Sequence, residues 1–245
     1  MKDFRKPLSG GTSLVKPFLR LFDETARYKH RLEVFRDFVT VSAISMHNSV
    51  SYSAWLEEEY LRIIRQYKPD DVSRLAQLLS LLIEALDVAP RDVLGRVYMD
   101  LELGNTRQGQ FFTPDSVSQL MARIQLDQIE AHLALHDHIS ISEPACGAGG
   151  MILSVVDHLL SKRIDPAKRI YVQAIDIDRT AALMCYIQLS LWNVPAEIIV
   201  GDCLRLDYRE TWMTPAYHLN GWKFRLENRK APGAGPVMVS TAEKA

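Results

Sequence analysis

The stretch ISEPACGAGGMIL, residues 141–153, sets an alternating apolar run against a proline and three glycines, then opens into a second apolar run. A β-strand shows period 2 and a buried helix shows a longer apolar stretch, so the segment reads as strand, tight turn and helix. Gly147, Gly149 and Gly150 stand at the bend, where a missing Cβ permits positive φ and close approach of a ligand to the backbone. Outward from the bend the texture repeats. ISISE reads as a strand, MILSVVDHLLSKR as a helix, RIYVQAID as a strand, DRTAALMCYIQLSLWN as a helix and AEIIV as a strand. Such alternation predicts a parallel sheet with right-handed crossovers, an α/β fold that binds ligands beyond the carboxyl ends of its strands.

Upstream, the sequence predicts helices only. Leu32, Phe35, Phe38 and Val39 recur at helical spacing, as do Trp55, Tyr60, Ile63 and Ile64 after a cap at Ser51 or Ser53. KPDDVSRLAQLLSLLIEALDVAP predicts a third helix capped by Asp70 or Asp71, and RDVLGRVYMDLELGN a fourth that stops near Gly104. A further helix, DSVSQLMARIQL, follows Pro114. The expected organisation is a flexible basic arm (1–22), a helical domain (23–105), the α/β domain (106–209) and an irregular tail (210–245) whose one strand-like run is PVMVS.

Composition narrows the class. With 245 residues, 47% hydrophobic and a formal charge of -1, the chain is expected to build a globular core. No apolar run approaches the ~18 residues of a membrane span, and the N-terminus lacks the apolar centre of a secretion signal. Three cysteines without CxxC spacing argue against a disulfide framework and a structural zinc, which implies a reducing, cytoplasmic setting. His132 and His136 share a helix face, but no HExxH surrounds them, so no metal is expected.

Three acids end the three expected strands: Glu143, Asp176 and Asp202. Parallel strands place them on one rim beside the glycine turn. An ionised carboxylate accepts two hydrogen bonds, which suits Asp176 to the paired hydroxyls of a ribose. Asp202 then faces an exocyclic amine of a base, and Glu143 an ammonium group. The turn does not match GxGxxG. A nucleoside with an amino-acid-like end, S-adenosylmethionine, fits these groups better than a nicotinamide dinucleotide does.

GQFFTP (109–114), EPACGAGGMIL (143–153), AIDID (174–178) and GDCL (201–204) together resemble the consecutive motifs of adenine-N6 DNA methyltransferases, in particular the modification subunit of type I restriction-modification systems. The resemblance covers roughly residues 90–207. It implies an all-helical domain followed by a truncated Rossmann-like class I methyltransferase sheet, S-adenosylmethionine as cofactor and DNA as partner. It further implies that Phe112, Thr113, Pro114, Glu143, Pro144, Ala145, Cys146, Gly147 and Gly149 wall the methionine part, with Asp176 at the ribose and Asp202 at the adenine.

The chain departs from that family in one motif. The family's catalytic Asn-Pro-Pro-Phe/Tyr, at the end of the fourth strand, orients the target amine toward the methyl group and stacks on a flipped-out base. This sequence contains no Pro-Pro pair; Asn220 and Trp222, in HLNGWKF, stand nearest the expected offset. Two readings follow, an active adenine methyltransferase, alone or completed by a second chain, and a catalytically silent S-adenosylmethionine-binding regulator, antirestriction factor or partner subunit. With few residues left after the third strand, one edge of the first strand is expected to be covered by PVMVS, by the tail, by a second copy or by another protein.

Overall fold

The structure, a computed structural model, describes residues 11–101, 115–229 and 239–240. Its helical part comprises α1 (Gly11–Glu24), α2 (Arg31–Asn48), α3 (Ala54–Ile64), α4 (Pro69–Leu86) and α5 (Val93–Asp100). The flexible arm expected over 1–22 is, from Gly11 onward, a helix that buries Val15, Phe18 and Phe22. Pro17 inside it obscures the pattern and costs about 3 kcal/mol in an isolated helix. Burial of two phenylalanines at ~2–3 kcal/mol each exceeds that cost. Their rings pack on α2, with Phe18 5.5 Å from Phe38 and Phe22 6.2 Å from Phe35.

Ser53 caps α3 by accepting from the Leu56 amide at 3.4 Å. The cap of α4 is Lys68, followed by Pro69 at the first helical position, and neither Asp70 nor Asp71 fills that role. Asp71 is instead buried one turn in, where it accepts from the Ala26 amide at 3.0 Å and from Arg74 at 2.7 Å. It thereby fastens the α1–α2 turn to α4.

After α6 (Asp115–Leu135) the expected alternation follows: β1 (Ile139–Glu143), α7 (Gly150–Ser161), the single turn α8 (Pro166–Arg169), β2 (Ile170–Asp176), α9 (Arg179–Leu191) and β3 (Ala196–Asp202). The region expected as irregular tail is ordered further on: β4 (Asp207–Met213), α10 (Pro215–Leu219), α11 (Trp222–Arg229) and the two-residue β5 (Val239–Ser240). The sheet order is β4-β3-β2-β1-β5. All neighbours are parallel except β4, which returns antiparallel along β3 with a bulge at Val200/Gly201. β4 shows no apolar alternation because DYRETWM is a charged edge strand whose one buried side chain is Trp212. β5 lies within PVMVS and pairs with Ile141 and Ser142 of β1, so this chain itself covers part of that edge.

The crossovers β1–α7–β2 and β2–α9–β3 step the same way, and their right-handed sense puts α7 and α9 on one face. Ile139, Ile141, Ile170, Val172, Ala174, Ala196, Ile198 and Val200 are buried beneath them. The opposite face carries Ser140, Ser142, Tyr171, Gln173 and Glu197, all half-buried. This asymmetry produces the period-2 pattern, which lapses toward the rim where Ile175 and Ile199 are buried on the opposite face.

α9 is apolar all round, with every residue from Ala181 to Leu189 buried, because α2, α4 and α5 pack on the side turned away from the sheet. One hydrophobic cluster therefore runs from Val15 to Trp212. Arg179 pins the seam: its guanidinium donates to both oxygens of Glu210 on β4 (2.8 and 2.9 Å) and to both of Glu59 on α3 (3.1 and 2.9 Å). The three side chains are 15–28% exposed, so the pairs are only partly screened. Arg179→Met is expected to lower stability by about 2 kcal/mol, short of the ~3–5 kcal/mol of a fully buried broken pair. Urea unfolding monitored by tryptophan fluorescence measures it.

Candidate functional site

The register makes the rim a staircase. Glu143, the last residue of β1, lies opposite Ala174, so β2 runs two residues further to Asp176; Asp176 lies opposite Val200, so β3 runs two further to Asp202. At roughly 3.3 Å per residue each step is about 6–7 Å. The turn after β1 folds over the first step. The Cys146 amide donates to the Ile175 carbonyl at 2.9 Å, and the Gly147 amide to Asp176 Oδ2 at 2.8 Å. The turn closes on itself through Gly149 N–H to the Cys146 carbonyl at 2.8 Å.

Two glycines are required by this path. Gly147 has φ +53° and Gly149 φ +92°, both in the left-handed region. A Cβ on Gly149 would also sit 2.9 Å from Cys185 Sγ on α9. The neighbouring Cys146 is buried, and its contact with Cys185 together with burial pushes its thiol well above the usual range. It is a packing residue, held neutral and unreactive.

Asp176 and Asp178 both stand just before α9, and the structure gives them different roles. Asp178 caps α9 by accepting from the Ala181 amide at 2.9 Å. Asp176 is free of that duty: it accepts from Gly147 and, through Oδ1, from the Asp178 amide at 2.9 Å. Burial lifts its carboxyl above the usual aspartate range, against the pull of these amides. The Ile177 amide also bonds it, and the carboxylate still keeps acceptor capacity for a ligand.

Glu143 is buried at the end of β1, with the Ala145 amide 3.4 Å from Oε1; Pro144 is half-buried and Ala145 exposed. Asp202 organises the turn after β3 by accepting from the Leu204 and Arg205 amides at 2.9 and 3.1 Å. Ile177 and Leu204 stand exposed beside these acids, 63% and 91%, and give the upper steps an apolar flank. The sequence alone did not single them out. Nor did it single out Gln188, which is buried beneath the turn and donates to the Ala148 carbonyl.

The structure thus brings Glu143, Pro144, Ala145, Cys146, Gly147, Gly149, Asp176 and Asp202 to one rim. Phe112, Thr113 and Pro114 lie outside the described residues. Asn220 and Trp222 are at the other pole. Because β4 is antiparallel, it ends opposite Glu197 near the start of β3, and the chain continues into α10 and α11 there. Asn220 donates to the Ala216 carbonyl within its own turn. Trp222 is wholly buried: it donates to the Ala167 carbonyl at 2.9 Å, stacks on Tyr171 and meets His138 edge-on. Its position is that of a core residue closing the start of β1 and β2. Among the described residues, no three His, Cys, Asp or Glu gather as a metal site.

Gly149→Ala is expected to cost about 1–3 kcal/mol through strain at positive φ and the clash with Cys185. Trp222→Ala is expected to cost about 3–5 kcal/mol through the cavity it leaves, yet to spare the rim. Paired urea titrations with and without ligand distinguish the two, since only the first loses ligand stabilisation.

No curated protein matches the sequence closely. A crystal structure from Listeria monocytogenes, of a protein assigned as a class I S-adenosylmethionine-dependent methyltransferase, is similar at 17% identity over 79% of this chain, with a TM-score of 0.48. The chain spans 55% of that neighbour's length. The decisive match is to the model of the N-6 DNA Methylase family, over residues 89–219, more than half of the chain and all of the rim from Glu143 to Asp202. This chain belongs to the N-6 DNA methylase family.

Proposed function

We propose that the rim binds S-adenosylmethionine and that the protein serves methylation of adenine N6 in DNA, as part of a restriction-modification system. One observation carries the reading: Asp176, raised on the step of the sheet and held by the Gly147 amide, is oriented with spare acceptor capacity where the turn leaves the backbone bare. The donor set suits the molecule. A carboxylate for two ribose hydroxyls, a second at Asp202 for an exocyclic amine, an apolar flank from Ile177 and Leu204 and an acid at Glu143 for an ammonium group match its parts. When bound, S-adenosylmethionine supplies an electrophilic methyl group on a sulfonium. The chain's own residues hold and orient it, while the glycine turn keeps side chains away from its methionine end. The N-6 DNA methylase family supports DNA as the substrate, and no described helix is long and apolar enough to cross a membrane.

Orientation of the target amine requires acceptors near the methyl group. Asn220 does not supply them from the opposite pole, so the acceptors belong to other residues of this chain or to a partner chain that joins it on DNA. Transfer of labelled methyl from S-adenosylmethionine to unmethylated duplex DNA tests the proposal, with binding measured on the same sample. Methylated adenine supports it. Tight binding without transfer, with every candidate partner present, would assign the protein to the silent, regulatory reading.

Asp176→Ala removes charge-assisted bonds worth ~1.5–3 kcal/mol and is expected to weaken S-adenosylmethionine binding by about 10- to 100-fold in calorimetry. The ionised form is the better acceptor, and burial raises its pKa. Affinity is therefore expected to fall on acidification at a pH above the ~3.9 of an ordinary aspartate, and Asp176→Asn to abolish that dependence. Stability moves in the opposite sense: a folded pKa above the unfolded one contributes stability at low pH that is lost as pH rises through it.

A further inference from the structure

We propose that Gln188 is a positioning residue that sets the shape of the cofactor turn by tying it to the first turn of α5, an inference that rests on the S-adenosylmethionine reading of the rim. Gln188 sits wholly buried in the middle of α9, an otherwise apolar helix, and its amide is fully used. Oε1 accepts from the Val93 and Leu94 amides at 2.8 and 3.1 Å. Nε2 donates to Asp92 Oδ1 at 2.9 Å and to the Ala148 carbonyl at 2.7 Å. With two acceptances on one side and two donations on the other, no carboxylate or apolar side chain can replace it completely.

Ala148 lies between the two left-handed glycines, and at 1% exposure its carbonyl has little access to water. A buried carbonyl requires a donor, and Gln188 supplies it. That bond fixes the Ala148–Gly149 peptide, and with it the direction in which the amides of the turn face the rim. The other end of the bridge is equally constrained. Asp92 Oδ1 also accepts from the Gly95 amide at 2.7 Å, and a Cβ on Gly95 would lie 2.1 Å from Asp92 Oδ2. A Cβ on Gly150, at the start of α7, would touch Asp92 Cβ at 3.5 Å and Ser118 Oγ of α6 at 3.4 Å. Four helices thus converge beneath the turn, and Gln188 converts their packing into one backbone orientation. The helical part of the molecule thereby bears on cofactor affinity without touching the cofactor.

Two variants separate this role from plain stability. Gln188→Met keeps the volume and loses all four bonds; Gln188→Glu keeps the acceptor toward Val93 and Leu94 but loses donation to Ala148 as an ionised group. The readouts are S-adenosylmethionine affinity by calorimetry at a temperature where each variant is folded, and amide hydrogen exchange across the turn, α5 and the strands. Both variants are expected to bind at least 10-fold more weakly and to exchange faster at Gly149, with β2 and β3 unchanged; only the Met variant should also lose protection at Val93 and Leu94. Wild-type affinity and wild-type exchange at Gly149 in either folded variant would overturn the proposal. If the wild type does not bind S-adenosylmethionine, the rim has been misread, and exchange at Gly149 alone decides: loosening sustains the positioning role, and no change ends it.

Discussion

The hydrogen bond from the Gly147 amide to the Asp176 carboxylate joins the end of one strand to the turn that leaves its neighbour. It exists because β2 outruns β1 by two residues in register, so an acid at the end of β2 stands at the height of the turn. Neither residue alone makes a site. A glycine turn without the acid would have no polar group to recognise a sugar, and the acid without the turn would be a capping residue like Asp178. Burial opposes the charge on Asp176 and the surrounding amides favour it, which leaves a carboxylate whose oxygens still have capacity for a further partner.

The antiparallel return of β4 decides what the rest of the chain can contribute. A strand running parallel would have delivered the following residues to the rim; β4 delivers them to the opposite end, where α10 and α11 close the start of the sheet around Trp222. The segment from Pro215 to Arg229 is therefore a floor under the sheet. β5 reverses this, since it pairs parallel with β1 and its forward end points to the rim beside Glu143.

Much of this was legible in the sequence where a single physical rule dominates. The three parallel strands and their helices announced themselves through period-2 and helical spacing, and the strand-end acids followed from the crossovers. Legibility failed where two rules compete. Pro17 and the glycines before it outweighed the apolar spacing of Val15, Phe18 and Phe22, although burial decides the outcome. β4 carries the composition of an edge, which resembles a loop when no partner strand is known. Gln188 was invisible for a third reason: a single polar residue in an apolar helix has no pattern, and its importance lies in contacts with residues 40 and 95 positions away.

The burial of α9 from Ala181 to Leu189 has a consequence for how the molecule can be divided. Its inner side faces the sheet and its outer side faces α2, α4 and α5, so both halves of the protein complete the same helix. Excising either half would expose a wide apolar face of α9 to water, and neither piece would retain a closed interior. The helical part is thus no detachable accessory but half of a shared keel.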